Sequence, residues 1–130
     1  MKNFLQFMFV ILTLMIAMKD VVADEGFNSL DFEGKWKLSD KPVWIDIDFV
    51  ENLGAGKIYR HDEKASAVGQ LLLSEITLDV GQSSGLGFIY VPQLGRNHPM
   101  KLKLSSPNSI EVKVKVGFIR KTVTLLRVVS

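Results

Sequence analysis

From Gly34 onward the chain alternates apolar and polar residues with period two, in short runs broken by turn residues, and no window of helical length repeats at three and four. That alternation constrains the fold more than any other feature. WIDIDF sets Ile45, Ile47 and Phe49 on one face and Asp46 and Asp48 on the other. SIEVKVKVGF sends Ile110, Val112, Val114, Val116 and Phe118 inward and Glu111, Lys113 and Lys115 outward. MKLKL buries Met100, Leu102 and Leu104 and exposes Lys101 and Lys103. One dry face and one wet face is the pattern of an antiparallel sheet.

The runs predict about eight strands, at 34–39, 44–51, 55–61, 69–78, 85–91, 100–105, 109–117 and 121–129. Their regular spacing favours a meander of hairpins. Eight strands in about a hundred residues remove their edges most economically by closing into a small antiparallel β-barrel, all-β and one domain over residues 34–130. Residues 24–33 are expected to form a loose arm or a 3₁₀ turn entering the barrel, and DEKASAV at 62–68 is the least patterned connection. In GQLLLSEITLD, Leu71 and Leu73 point opposite to Leu72, Ile76 and Leu78 unless a bulge intervenes, which leaves the register of 69–79 open.

Ahead of the barrel, Lys2 gives a basic start, Phe4 to Met18 is an apolar run, and Val21, Val22 and Ala23 are small residues before Asp24. These are the parts of a signal peptide over residues 1–23, cleaved after Ala23. The apolar run is shorter than the ~20 residues that span a bilayer, so no transmembrane segment is expected after cleavage. The expected destination is the periplasm or the extracellular medium. The chain has no cysteine, which excludes a lipoprotein anchor, disulfides, thiolate catalysis and cysteine-ligated metals. Cleavage would remove two of the 16 basic and one of the 14 acidic residues. The remaining balance is near neutral and gives no reason to expect a nucleic-acid partner.

Motifs that carry chemistry elsewhere lack their context here. GQSSG at 81–85 matches the GxSxG nucleophile elbow, but a strand follows it where the elbow needs a helix, and no acid lies between Ser83 and His98. A polar hairpin turn accounts for it. His61 and His98 are the only histidines, and zinc needs three or four converging ligands, so neither metal nor cofactor is expected. The glycines of GLG at 85–87 mark a bulge or tight bend, since no helix N-terminus follows to hold a phosphate. Outward Lys101, Lys103, Lys113 and Lys115 form a basic stripe that either meets anionic lipid or a polyanion or is a solvated face discouraging edge pairing. Asp46 and Asp48 share an outward face with no cleft between them. No base and nucleophile stand in a plausible arrangement, so an enzyme is not expected.

GKW at 34–36 opens the first strand and Arg127 lies near the end of the last, and the two strands are neighbours in a closed barrel. The arginine could then lie over the Trp36 ring. This Gly-x-Trp start with a late arginine is similar to the closure signature of lipocalin-like barrels, the calycins, with Gly34, Trp36 and Arg127 in structural roles. GAGKIY at 54–59, GFIYVPQLGRNHPMKLKL at 87–104, EVKVKVGF at 111–118 and TLLRV at 124–128 extend the likeness. In order and spacing they resemble an exported bacterial family called domain of unknown function 2147, a lipocalin-like barrel without an established activity. Gly87, Ile89, Pro92, Gly95, Gly117, Phe118 and Arg127 fit its pattern, and Arg96 stands for a lysine. The chain departs from that pattern with Val91 for an aspartate, His98 for a tyrosine, Leu125 for a tryptophan, and no cysteine pair.

These readings together lead to a non-enzymatic, exported barrel that binds a small apolar or amphipathic molecule, or a piece of envelope lipid, at its mouth. The alternative is a cell-envelope interaction or inhibitor module with a filled core; oligomeric state is left open. Within PQLGRNHP, Pro92, Gly95 and Pro99 serve the backbone as a hairpin connection. Arg96 and His98 exceed what a turn needs and, with Tyr90, are the candidate ligand-binding residues: Arg96 to meet an anionic head, His98 to add to that grip when protonated.

Overall fold

The computed structural model describes residues 29–79 and 83–129; the expected signal peptide and the start of the arm lie outside them. The elements run α1 (Ser29–Phe32), β1 (Gly34–Leu38), β2 (Val43–Val50), β3 (Leu53–His61), a 3₁₀ turn (Ala65–Ala67), β4 (Leu71–Leu78), β5 (Ser84–Val91), β6 (Arg96–Ser106), β7 (Ser109–Val116) and β8 (Ile119–Arg127). Every strand pairs antiparallel with the next, and β1 pairs with β8 through Trp36↔Arg127, Lys37↔Leu126 and Leu38↔Leu125. The chain is therefore a closed eight-stranded up-and-down barrel. Closure removes the free edges that an open sheet would expose to association.

Alternation places the core inside. Ile45 and Ile47, Met100, Leu102 and Leu104, and Ile110, Val112 and Val114 are buried, while the residues between them face outward. The ambiguous register of β4 is resolved by a bulge. Leu72 and Leu73 are both buried, Glu75 takes φ 50°, and pairing with β5 slips between Ser74 and Thr77. The β5 glycines make room for that irregular backbone, since a Cβ on Gly85 would come 2.5 Å from the carbonyl oxygen of Thr77. A second slip, between Trp44 and Ile45, leaves Tyr59 as the extra residue of β3, between Arg60 opposite Trp44 and Ile58 opposite Ile45.

Three expectations change. The arm ends in one turn of α-helix, not 3₁₀ or loose coil, and Phe32 is fully buried beneath the barrel, where the carbonyl of the same residue accepts the Trp36 indole N–H at 2.9 Å. Phe118 is not inward: it occupies the β7–β8 turn and is fully exposed, because the strand ends at Val116 and the alternation ends with it. Finally, β6 begins at Arg96 rather than Met100. The connection shrinks to Pro92–Gly95, closed by the Gly95 N–H donating to the Val91 carbonyl at 2.9 Å with Gly95 at φ 67°.

Pro99 explains an asymmetry in the wall. The Leu104 N–H donates toward β5, to Ser83, so by alternation the Pro99 position faces β7, where proline has no N–H to give. Accordingly β6 pairs with β5 up to Val91↔Arg96 but with β7 only up to Met100↔Val114.

Candidate functional site

Strand direction gives the barrel two ends. At one, Phe32, Trp36 and Arg127 form a plug. The Arg127 guanidinium stacks 4.2 Å over the Trp36 ring and donates to the carbonyls of Pro107, Glu33 and Asp31 at 3.1, 3.1 and 2.7 Å. Gly34, at φ 119°, lies so close that a Cβ there would come 3.1 Å from Nη1 of the arginine. Gly34, Trp36 and Arg127 thus lie together where the first and last strands pair.

The other end is open. A cavity of about 620 Å³ enters between the β1–β2, β3–β4 and β5–β6 connections. Its walls are apolar, including Leu38, Val43, Ile58, Leu72, Ile89 and Val123. Its rim is polar, with Asp40, Lys41, His61, Glu63, Lys64 and Lys121. This volume lies within the ~300–1,000 Å³ of small-molecule sites, and the division into apolar wall and polar rim is typical of them. The packed floor beneath it includes Ile45, Leu73 and Val112, all fully buried. A smaller groove of about 380 Å³ on the outer wall is lined by Lys101, Lys103, Lys113, Glu111 and Asp79, and charges of both signs meet there.

Of the candidate residues only Tyr90 lines the cavity; Arg96 and His98 lie on the neighbouring β6, opposite the lining residues Val91 and Ile89. Tyr90 is half-buried and lines the cavity. Arg96 is exposed, opposite Val91, another lining residue, at the first position of β6. His98 is not a loop residue: it faces inward on the row of Met100, Leu102 and Leu104, opposite Ile89, with 9% of its surface exposed. Its Nε2 is buried without a hydrogen-bond partner, alone in this among the side chains of the described residues. An unpaired buried polar atom forfeits about 1–3 kcal/mol, so a group able to pair with it gains at this position. Even spacing from Met100 would have revealed His98 as inward; the prolines at 92 and 99 obscured it.

His61, by contrast, is occupied locally. Its Nδ1 accepts the backbone N–H groups of Glu63 and Lys64 at 3.2 and 2.9 Å and shapes the turn after β3. Ser84, the fourth residue of GQSSG, already begins β5, so that motif leads into a strand. Among the described residues, the two groups whose titration is displaced, Tyr59 and Arg60, do not line the cavity. Burial, then the charge of Asp46, raises the Tyr59 phenol, and the hydrogen bond to Asp62 raises Arg60.

No family model matches the chain, and neither does any curated protein or solved structure.

Proposed function

We propose that this is an exported, non-enzymatic binding protein of the domain of unknown function 2147 type, whose open end takes up a small apolar or amphipathic molecule. The observation that carries the reading is the apolar cavity of about 620 Å³ at the mouth. It favours a ligand carrier over an interaction module with a solid barrel. In this reading the apolar body of the ligand rests against Ile89, Val114 and Val123, a polar group inside the barrel pairs with His98 Nε2, and an anionic head meets Arg96 at the rim. Tyr90 contributes to the wall.

Native mass spectrometry of protein purified from its own host tests the proposal directly. A co-purifying small mass is expected, absent from a Val123→Phe variant whose larger side chain fills the cavity. Protein that carries no such mass, and takes up no fluorescent fatty acid afterwards, would refute it. So would unchanged uptake by the filled variant.

A further inference from the structure

At the open end the β7–β8 hairpin extends past the strands on either side of it. On one side β7 loses β6 above Val114, because Pro99 cannot donate to it. On the other, β8 is tied to the end of β1 through Leu38 opposite Leu125 and the Ser39 N–H to Thr124 carbonyl bond, at 2.9 Å. Above those points, among the described residues, residues 115–122 pair their backbone only within their own hairpin, turned through Gly117 at φ 61°, while Val116 still packs its side chain on the core. The ribbon ends in Phe118 and Ile119, which are 105% and 72% exposed. Leu94 and Val68, on neighbouring connections at the same end, are exposed as well.

Charge decides what this tip can meet. Lys115 and Arg120 sit directly opposite each other across the ribbon, and Lys101 and Lys113 do the same lower on that wall. Like charges in register destabilise a sheet. Among the described residues none of these four cations has an ion-pair or aromatic partner; the single ion pair is Arg60 with Asp62 on the opposite wall, where Lys35, Lys37 and Arg60 also lie over Tyr59 and Trp44. Lys121 adds a further cation at the rim. One wall has settled its cations locally; on the other, Glu111 and Asp79 share the lower groove with Lys101 and Lys113, and Lys115 and Arg120 at the tip are left to meet an external anion.

We propose that the open end docks on the surface of an anionic lipid bilayer, with Phe118 and Ile119 entering the interface and Lys115, Arg120 and Lys121 against the headgroups. An apolar tip flanked by lysine and arginine is the arrangement by which proteins lie on such surfaces, the apolar part giving area and the cations giving selectivity. Docking needs no ligand in the cavity and stands apart from the carrier reading, although it would set the mouth facing the lipid.

The test is flotation of the chain lacking residues 1–23 with vesicles of equal parts phosphatidylglycerol and phosphatidylcholine, compared with phosphatidylcholine alone. Flotation on the anionic vesicles only, weakened by salt, is expected. Phe118→Ser with Ile119→Ser should reduce it at least about tenfold, as should Lys115→Gln with Arg120→Gln. Val50→Ser with Leu53→Ser, exposed at the closed end, should not. Because the chain has no cysteine, Phe118→Cys can be labelled uniquely with an environment-sensitive dye, whose emission should shift to the blue on anionic vesicles. Equal flotation on neutral vesicles, insensitivity to the tip variants, or no flotation would overturn the proposal. A dimer that dissociates on Phe118→Ser, without flotation, would instead assign the tip to self-association.

Discussion

The two ends of the barrel are built to opposite rules. At the closed end a large aromatic pair, Phe32 and Trp36, is fully buried, the indole N–H has its acceptor, and Arg127 places its guanidinium against three carbonyls and a ring. At the open end the walls enclose space, His98 Nε2 lacks a partner, and the β7–β8 hairpin runs past its last backbone pairing with either neighbouring strand. Stability is concentrated where polar groups are satisfied and volume is filled. The end that leaves both undone has room to bind, and substitutions should divide accordingly.

The largest effect belongs to Trp36→Ala. Removing a fully buried indole beneath a barrel costs about 3–5 kcal/mol through lost burial and the cavity left behind. Chemical denaturation should show that loss. A cost below about 1 kcal/mol would mean that the plug is not what holds this end.

Arg127→Ala follows, at roughly a third to a half of that cost, since it forfeits a cation over an indole worth about 0.5–2 kcal/mol and hydrogen bonds to carbonyls that lose their donor. Combined with Trp36→Ala the losses should fall short of additive, by about 0.5 kcal/mol or more, because both act through one contact. Full additivity in the double-mutant cycle would separate the two residues and dissolve the plug as a unit.

The closed end was also the more legible in the sequence. Gly34, Trp36 and Arg127 could be paired because the first and last strands of a closed barrel must meet, and alternation within each strand needs no knowledge of its neighbours. The β4 bulge was legible for the same reason, as two leucines of conflicting parity in one run. Where a strand stops relative to its neighbour is a different kind of fact. The Pro99 position faces β7, so the place where β7 becomes free is written in β6, and Phe118, on the inward parity of Val112 to Val116, was carried past a strand end that its own run does not reveal. His98 was hidden in the reverse manner. Flanking prolines made a strand residue resemble a loop residue, although it shares the parity of Met100 and Leu102.

His98→Leu should reverse the sign seen at the closed end. Replacing a buried side chain that has an unpaired nitrogen with an apolar one removes a desolvation penalty, so the protein should gain up to about 1 kcal/mol while ligand affinity falls. A loss of stability with affinity unchanged would make His98 an ordinary core residue.

The smallest expected effect on stability is that of Arg96→Ala, and its smallness is what makes it informative. Arg96 is exposed at the first position of β6, has no ion pair among the described residues, and sits opposite Val91 at the cavity wall. An exposed substitution away from caps and special backbone angles shifts stability by no more than about 0.5 kcal/mol. Its neighbour Gly95 has φ 67°, a conformation that a β-branched side chain strains, so Gly95→Val should lower the melting temperature measurably. Affinity for a fluorescent fatty acid should change in the opposite order, because a charge-assisted contact to the carboxylate is lost in Arg96→Ala and kept in Gly95→Val. If instead both variants bind as tightly as the parent, the anionic head lies elsewhere on the rim, and Lys121, which lines the cavity, becomes the residue to replace.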